Sequence, residues 1–364
     1  PEYVVDNTDE VEAYYAAHPE RFVFATPEDL PEYLNWEDGS GLTPFGDPRA
    51  KRGGRLTMRL SRMQSTLRIL GPDSNGSLRG PLWNANNVFL VHTHPWEDGV
   101  IPGIAHRWAK DPTDPRRGFF ELDPDARWSD GLPVTSDDMV FSLYLLLSPY
   151  INDPAVNKYA NDTYLRITRY DERTFSITLK NPTFRIFESL GTFIISQREF
   201  YRELGEDYVE RYHWRFAPVT GPYTLDLDDV QRGQQVTFRR LDDWWANDKP
   251  FYKHRFNPDS MTYTVIRDDS KAFESFLNGT LDWHFLNRIT LWYDRADEKS
   301  FRDGYIERAW VYDLLPAAMS GLCINSMKPL LDNPDIRKGI HHAVDYQRVN
   351  TVMFRGDWRR IHSI

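Results

Sequence analysis

Trp128-Ser129-Asp130-Gly131-Leu132-Pro133-Val134-Thr135-Ser136-Asp137-Asp138 is a turn that runs into a helix start. In Ser129-Asp130-Gly131 the aspartate accepts backbone N–H groups and the glycine permits a positive φ. Thr135 stands as an N-cap with Asp138 three residues on, the spacing of a capping box. Met139, Val140, Leu143, Leu146 and Leu147 then fall on one helical face. The stretch therefore specifies a loop-to-helix junction in which Trp128, Asp130 and Thr135 have structural jobs.

Elements on either side alternate in type. Gly53-Gly54 opens a predicted strand over 55–60, where Leu56, Met58 and Leu60 alternate with Arg55, Thr57 and Arg59. Leu165, Ile167 and then Phe175, Ile177, Leu179 predict a hairpin turning at Asp171-Glu172-Arg173 and stopped by Asn181-Pro182. A second hairpin is expected from Tyr223, Leu225 and Leu227 through Arg232-Gly233 to Val236 and Phe238. Met261, Tyr263 and Val265 read as a strand. Ser270 reads as the cap of a helix through Phe273 and Leu277 that ends at Gly279, with a strand over 281–286 next. Asn333 and Pro334 start a late helix, and Asp345 caps another. Residues 78–90 have helix-compatible spacing. Residues 1–50, with a short helix over 9–15, are expected to wrap the surface. The pattern is mixed α/β (α+β), without a repeat.

The chain has 364 residues, 44 basic and 54 acidic, for a net charge of −10. That balance disfavours a nucleic-acid groove, which needs a basic footprint. Mean hydropathy is −0.60, and no run approaches a membrane span. Cys323 is the only cysteine, which excludes an intramolecular disulfide and a cysteine-based zinc site. Aromatic residues make up 14%, with 12 Trp, enough for large cores and also for a cleft that stacks planar groups.

Catalytic signatures are missing. There is no Gly-x-Ser-x-Gly elbow, phosphate-binding Gly-rich loop or His-Glu-x-x-His helix. The paired aspartates Asp137-Asp138, Asp228-Asp229 and Asp268-Asp269 sit at caps or turns. His92 and His94 would share a face on a strand, but no acidic partner of clear spacing completes a metal set. His341 and His342 diverge by roughly 100° on a helix. No metal, no cofactor and no enzymatic activity are expected.

The opening stretch resembles the W-S-D-G-x-P-x-T-x-x-D segment of the family 5 extracellular solute-binding proteins, the oligopeptide, dipeptide and nickel-binding receptors of bacterial ABC importers. Pro102-Gly103-Ile104-Ala105-His106-Arg107-Trp108 is similar to the family's strand entry P-x-L-A-x-x-W. Thr220-Gly221-Pro222-Tyr223-Thr224-Leu225 resembles G-P-Y-x-L, and Gln235 to Trp245 resembles the strand ending in Tyr-Trp. Asn278-Gly279-Thr280-Leu281-Asp282 and Asp335-Ile336-Arg337 with Ala343-Val344-Asp345 resemble two further family motifs, all in the family's order. Arg52-Gly53-Gly54, Val265-Ile266-Arg267-Asp268-Asp269 and Asp357-Trp358-Arg359-Arg360 look most like the branch importing modified peptides such as microcin C.

The resemblance implies a two-lobe, type II periplasmic binding protein fold with an inserted subdomain in lobe I. It implies residues 1–64 as an extension plus the first part of the lobe I sheet, 65–190 as the insertion, 191–315 as the second part, and 316–364 as the start of an incomplete lobe II. The chain is expected to stop inside lobe II at Ile364, with the signal peptide absent from it. Ligand-facing segments implied by the family are Ser61, Met63, Gln64 and Ser65 after the first strand; Trp283, His284, Leu286 and Asn287 after the Gly-x-x-Asp turn; and Ser320 and Leu322 in the crossover. The implied function is capture of a peptide by a monomer that delivers it to an importer permease, in the periplasm or outside the cell on a membrane anchor. Alternatives are an oligosaccharide or nickel-chelate receptor and, from another class, a hydrolase.

Overall fold

The computed structural model describes residues 6–286, 288–295, 297–314 and 321–359. Two compact units divide the chain, residues 1–283 and 284–364.

The first unit holds two five-stranded sheets and a small ribbon. Its strands are β1 (Phe22–Phe24), β2 (Arg55–Leu60), β3 (Val91–Thr93), β4 (Val100–Pro102), β5 (Ala105–Lys110) and β6 (Arg117–Leu122). They continue with β7 (Tyr164–Arg169), β8 (Thr174–Leu179), β9 (Tyr223–Thr224), β10 (Val230–Gln231), β11 (Gln235–Arg240) and β12 (Ser260–Val265). One sheet runs β1-β7-β8-β6-β5, and the other runs β10-β11-β12-β2 with β9 also on β11. Strand 55–60 thus shares a sheet with strands from 223–265, pairing in parallel with β12 from Arg55↔Ser260 to Leu60↔Val265. β3 and β4 form the ribbon.

Helix α1 spans Thr8–Ala17, α2 spans Ser136–Leu147 and α3 spans Pro154–Thr163. Almost all of α2 is buried, and its Met139, Leu143 and Leu146 join Phe120, Leu122, Phe175 and Ile177 of the first sheet in one core. A smaller core of Leu60, Leu67, Tyr223, Val236 and Phe238 sits on the second sheet.

Asp138 organises the α2 entry. Its carboxylate accepts the Thr135 backbone N–H (2.9 Å), the Trp128 indole N–H (3.1 Å) and, from its other oxygen, the Arg198 N–H (2.9 Å). The Thr135 hydroxyl lies farther off, at 3.4 Å. Burial pushes the Asp138 carboxyl up, to about 6, against the pull of these donors. Ser142, one turn on, donates to Asp138 O and accepts from Ser196 N. Asp130 holds the preceding turn through Leu132 N and reaches Gln197 Nε2 (2.8 Å). Gly131 takes φ +90°, which side-chain-bearing residues adopt only with strain. The Gly221-Pro222-Tyr223 segment is fixed by approach: a Cβ on Gly221 would stand 2.4 Å from Asn86 O. Asn86 brackets Tyr223 with both side-chain atoms.

Several sequence expectations need correction. The N-terminal segment does more than wrap the surface: β1 is the parallel edge partner of β7, and Val11 of α1 is wholly buried. Every residue of β8 is buried, Thr174, Ser176 and Thr178 included. Its expected polar face lies under a cover built from Ala25, Leu30, Leu34 and Trp36. Residues 78–90 form only a single π-helical turn, Gly80–Asn84. The hairpin strand through Leu227 breaks into β9, a 3-10 turn and β10. Helix Asp269–Leu277 is capped by Asp268, which accepts from Lys271 N (2.8 Å), and not by Ser270. No strand covers 281–286; Trp283 makes an isolated parallel bridge to Met58.

His92 and His94 serve the backbone. His94 bonds Thr43 O through Nε2 (2.9 Å) and accepts Glu97 N at Nδ1 (2.8 Å). His92 Nε2 accepts from Phe89 N (3.2 Å), and desolvation, with the Arg255 guanidinium nearby, pushes its pKa down to about 4.

In the second unit, helices Pro334–Ala343 and Tyr346–Met353 are capped by Asn333 and Asp345, which accept from Asp335 N and Arg348 N. None of its described residues is buried.

Four outcomes follow from this packing. In thermal or denaturant unfolding, Asp138→Asn should cost about 1–3 kcal/mol, because an amide N–H then faces a donor. Thr135→Ala should cost ~1 kcal/mol or less. Gly221→Ala should destabilise by about 3 kcal/mol, since backbone must move; a neutral result would refute the close approach. His92 is held neutral in the fold, so its contribution is complete above its ordinary pKa of about 6.5 and is lost as pH falls toward 4. His92→Gln should flatten stability over that window by roughly 1–3 kcal/mol; an unchanged slope would remove His92 as the cause.

Candidate functional site

The edge of the second sheet is β2, and Asp282 returns to it 225 positions after Thr57. Helix Asp269–Leu277 ends at Asn278, whose side chain accepts Thr280 N (3.1 Å) and Thr280 Oγ1 (2.7 Å), while Gly279 takes φ +80°. This turn buries Leu281 and lays Asp282 against β2. Asp282 N donates to Thr57 O (2.9 Å), and Thr57 N donates to Asp282 Oδ2 (2.7 Å). Trp283 follows on the bridge to Met58 with 55% of its surface exposed, a large aromatic held in place but uncovered.

Arg59 pins the neighbouring strand exit. Its guanidinium donates to Ile266 O (2.8 Å), Arg267 O (3.1 Å) and Asp269 Oδ1 (2.6 Å). It fixes the path from β12 into the helix that leads to Trp283. Sequence reading missed Arg59, because its partners are carbonyl groups more than 200 positions away, which no local pattern marks.

The segment after β2 is mixed. Ser61 and Ser65 are exposed, and Met63 is partly buried on the second-sheet core. Gln64 is buried at 5% exposure, and its Nε2 donates to Ser74 O (3.1 Å). Its Oε1 is buried without a hydrogen-bond partner. In the first unit Trp283 bridges to Met58 within β2, Ser61 directly follows that strand, and Ser65 lies farther along the same loop. His284 and Leu286 are partly buried and Leu322 is exposed, all within the second unit. Asn287 and Ser320 lie outside the described residues. Among the described residues no cluster of His, Cys, Asp and Glu is arranged to hold a metal ion, and no helix is long and apolar enough to cross a membrane. The arrangement offers stacking by Trp283 and backbone contacts along β2.

The chain is 26% identical over 336 residues to the probable peptide-binding protein YejA of Agrobacterium fabrum, covering 91% of this chain and 53% of that protein. It spans about half the length of the curated relatives it matches. Among solved structures, the ABC transporter-associated periplasmic binding protein DppA of Helicobacter pylori, in complex with peptide STSA, superposes with a TM-score of 0.62 at 16% identity, covering 85% of this chain and 60% of that one. The mannohexaose-bound oligopeptide-binding protein of Thermotoga maritima gives 0.61 at 21% identity, covering 84% and 54%. These likenesses show the mixed α/β fold of type II periplasmic binding proteins. Residues 99–364 match the model of the bacterial extracellular solute-binding proteins, family 5 (middle region), and the chain belongs to that family.

Proposed function

We propose that the full-length protein captures peptides for an ABC importer, as a monomer in the periplasm or at the outer side of the cell membrane. The observation that carries this reading is the family match over 99–364, joined to a relative described as peptide-binding that aligns with 91% of the chain. In this reading residues 65–190 are an insertion between 1–64 and 191–315 of one lobe, and 316–364 open the other. A hinge closes the lobes on the ligand, and the closed form docks on the permease. No bond is made or broken.

The edge of β2 supplies the proposed ligand surface in the first lobe. An extended peptide is held mainly through its backbone, which gives affinity with little dependence on side chains. Trp283 adds a stacking face for aromatic or proline residues. Ser61 and Ser65 offer hydroxyl groups from the loop after β2, with Met63 as apolar backing. His284, Leu286, Asn287, Ser320 and Leu322 are the proposed contacts from 284 onward.

Mass spectrometry of the ligand that co-purifies with the full-length protein should return peptides; an oligosaccharide or a metal chelate in its place would overturn the reading. Calorimetry on Trp283→Ala should then show a loss of about 0.5–1.5 kcal/mol for aromatic-bearing peptides with folding intact. Thr135→Ala should leave affinity unchanged. Wild-type affinity in Trp283→Ala would remove Trp283 from the site.

A further inference from the structure

A pocket of about 420 Å³ lies within the first unit, at the end of the second sheet opposite to Ser61–Ser65. Its inner wall comes from residues 245–252, which lead into the start of β12, whereas residues 61–65 leave the far end of β2. Arg52, just before β2, donates to Asn247 Oδ1 (2.7 Å) and fixes this wall at the strand's beginning. The volume falls in the range of small-molecule sites, roughly 300–1,000 Å³.

The roof is a strap of chain, residues 38–44, tied at both ends. Glu37 pairs with Trp108 through both backbone groups (2.8 and 2.9 Å). At the other end Thr43 N donates to Glu97 Oε1 (3.2 Å), and Thr43 O is bonded by His94 (2.9 Å). Between the ties lie Gly39, where a Cβ would stand 3.0 Å from Pro102 Cδ and 3.2 Å from Val100 O, and Gly41, where it would meet nothing within 4 Å. Leu42 and Pro44 face the pocket from the strap, and Trp245, Phe251 and Tyr252 supply aromatic surface from the wall.

The floor is charged. Lys249 Nζ donates to Asp123 Oδ1 (2.9 Å) and Asp125 Oδ2 (2.8 Å), and Asp123 Oδ2 also lies 2.8 Å from it. Asp38 adds a further carboxylate at the rim. Two lining carboxylates, Asp38 and Asp123, against one ammonium leave a negative excess beside aromatic faces, with the His106 imidazole also in the lining. That combination attracts organic cations through charge and through ring quadrupoles. An anion would meet the same carboxylates at close range.

We infer that this pocket is a second ligand site, separate from the proposed peptide cleft, and that it takes a small organic ammonium ion with an aromatic or aliphatic body. The body packs against Trp245, Phe251, Tyr252 and Leu42, and the ammonium faces Asp38 and Asp123. The inference is independent of which ligand the cleft takes.

Benzylammonium, benzyl alcohol and benzoate test it by calorimetry and ligand-detected saturation-transfer NMR on the 364-residue chain. Benzylammonium should bind saturably, about threefold to tenfold tighter than benzyl alcohol, with benzoate weakest. Leu42→Trp, which fills the pocket without changing charge, should abolish binding. Asp38→Asn should reduce the preference for the cation while leaving the melting temperature unchanged. Absence of saturable binding, benzoate binding as tight as benzylammonium, or full binding in Leu42→Trp would each overturn the assignment.

Discussion

The carboxylate of Asp138 is the constraint on which the larger half of the first unit depends. It is enclosed, and its oxygens accept from an indole, a backbone N–H one turn earlier and the Arg198 N–H 60 residues later. A carboxylate only accepts, so no amide can replace it without setting a donor against a donor. Three parts of the chain are therefore committed to one position: the Trp128 turn, the first turn of α2, and the segment 196–198. Ser142 repeats the tie one turn along the helix through Ser196. Desolvation opposes the charge and the donors favour it, and this balance is why the carboxyl is raised only to about 6.

From that anchor the rest follows in layers. With α2 fixed, its apolar face covers one side of the first sheet, and residues 25–36 cover the other, so β8 is buried throughout. The second sheet meets this body through Asn86 and Thr220, whose side chains bond backbone across more than 130 positions. That junction carries β11 and β12, and β12 carries β2. Trp283 reaches its exposed position on the β2 edge only because each of these steps is rigid.

Much of this was legible in the residues. Strand 55–60 appears in the sequence with its observed bounds, because Leu and Met alternate with Arg and Thr on an amphipathic edge. The hairpin of β7 and β8, the α2 entry and the caps Asn333 and Asp345 were equally plain, since local chemistry sets each one. The failures share a cause. β1 is three residues long and exists only because β7 offers it an edge. Residues 281–286 have strand-like alternation, but β2 gives them one bridge and no ladder. Arg59 looked like a surface residue of an alternating strand and proved to be a pin.

The parallel pairing of β2 with β12 has a consequence for how the chain is made. Gly54 and Asp259, which bond at the mouth of that pair, are 205 residues apart in sequence. At a synthesis rate of about 5–20 residues per second, β2 waits roughly 10–40 s for its partner to emerge. Over the same interval the whole of the first sheet, including β1, becomes available and can close on α2. β2 spends that time as an unpaired edge, and the alternation of Arg55, Thr57 and Arg59 with its apolar residues keeps one face charged and soluble while it waits.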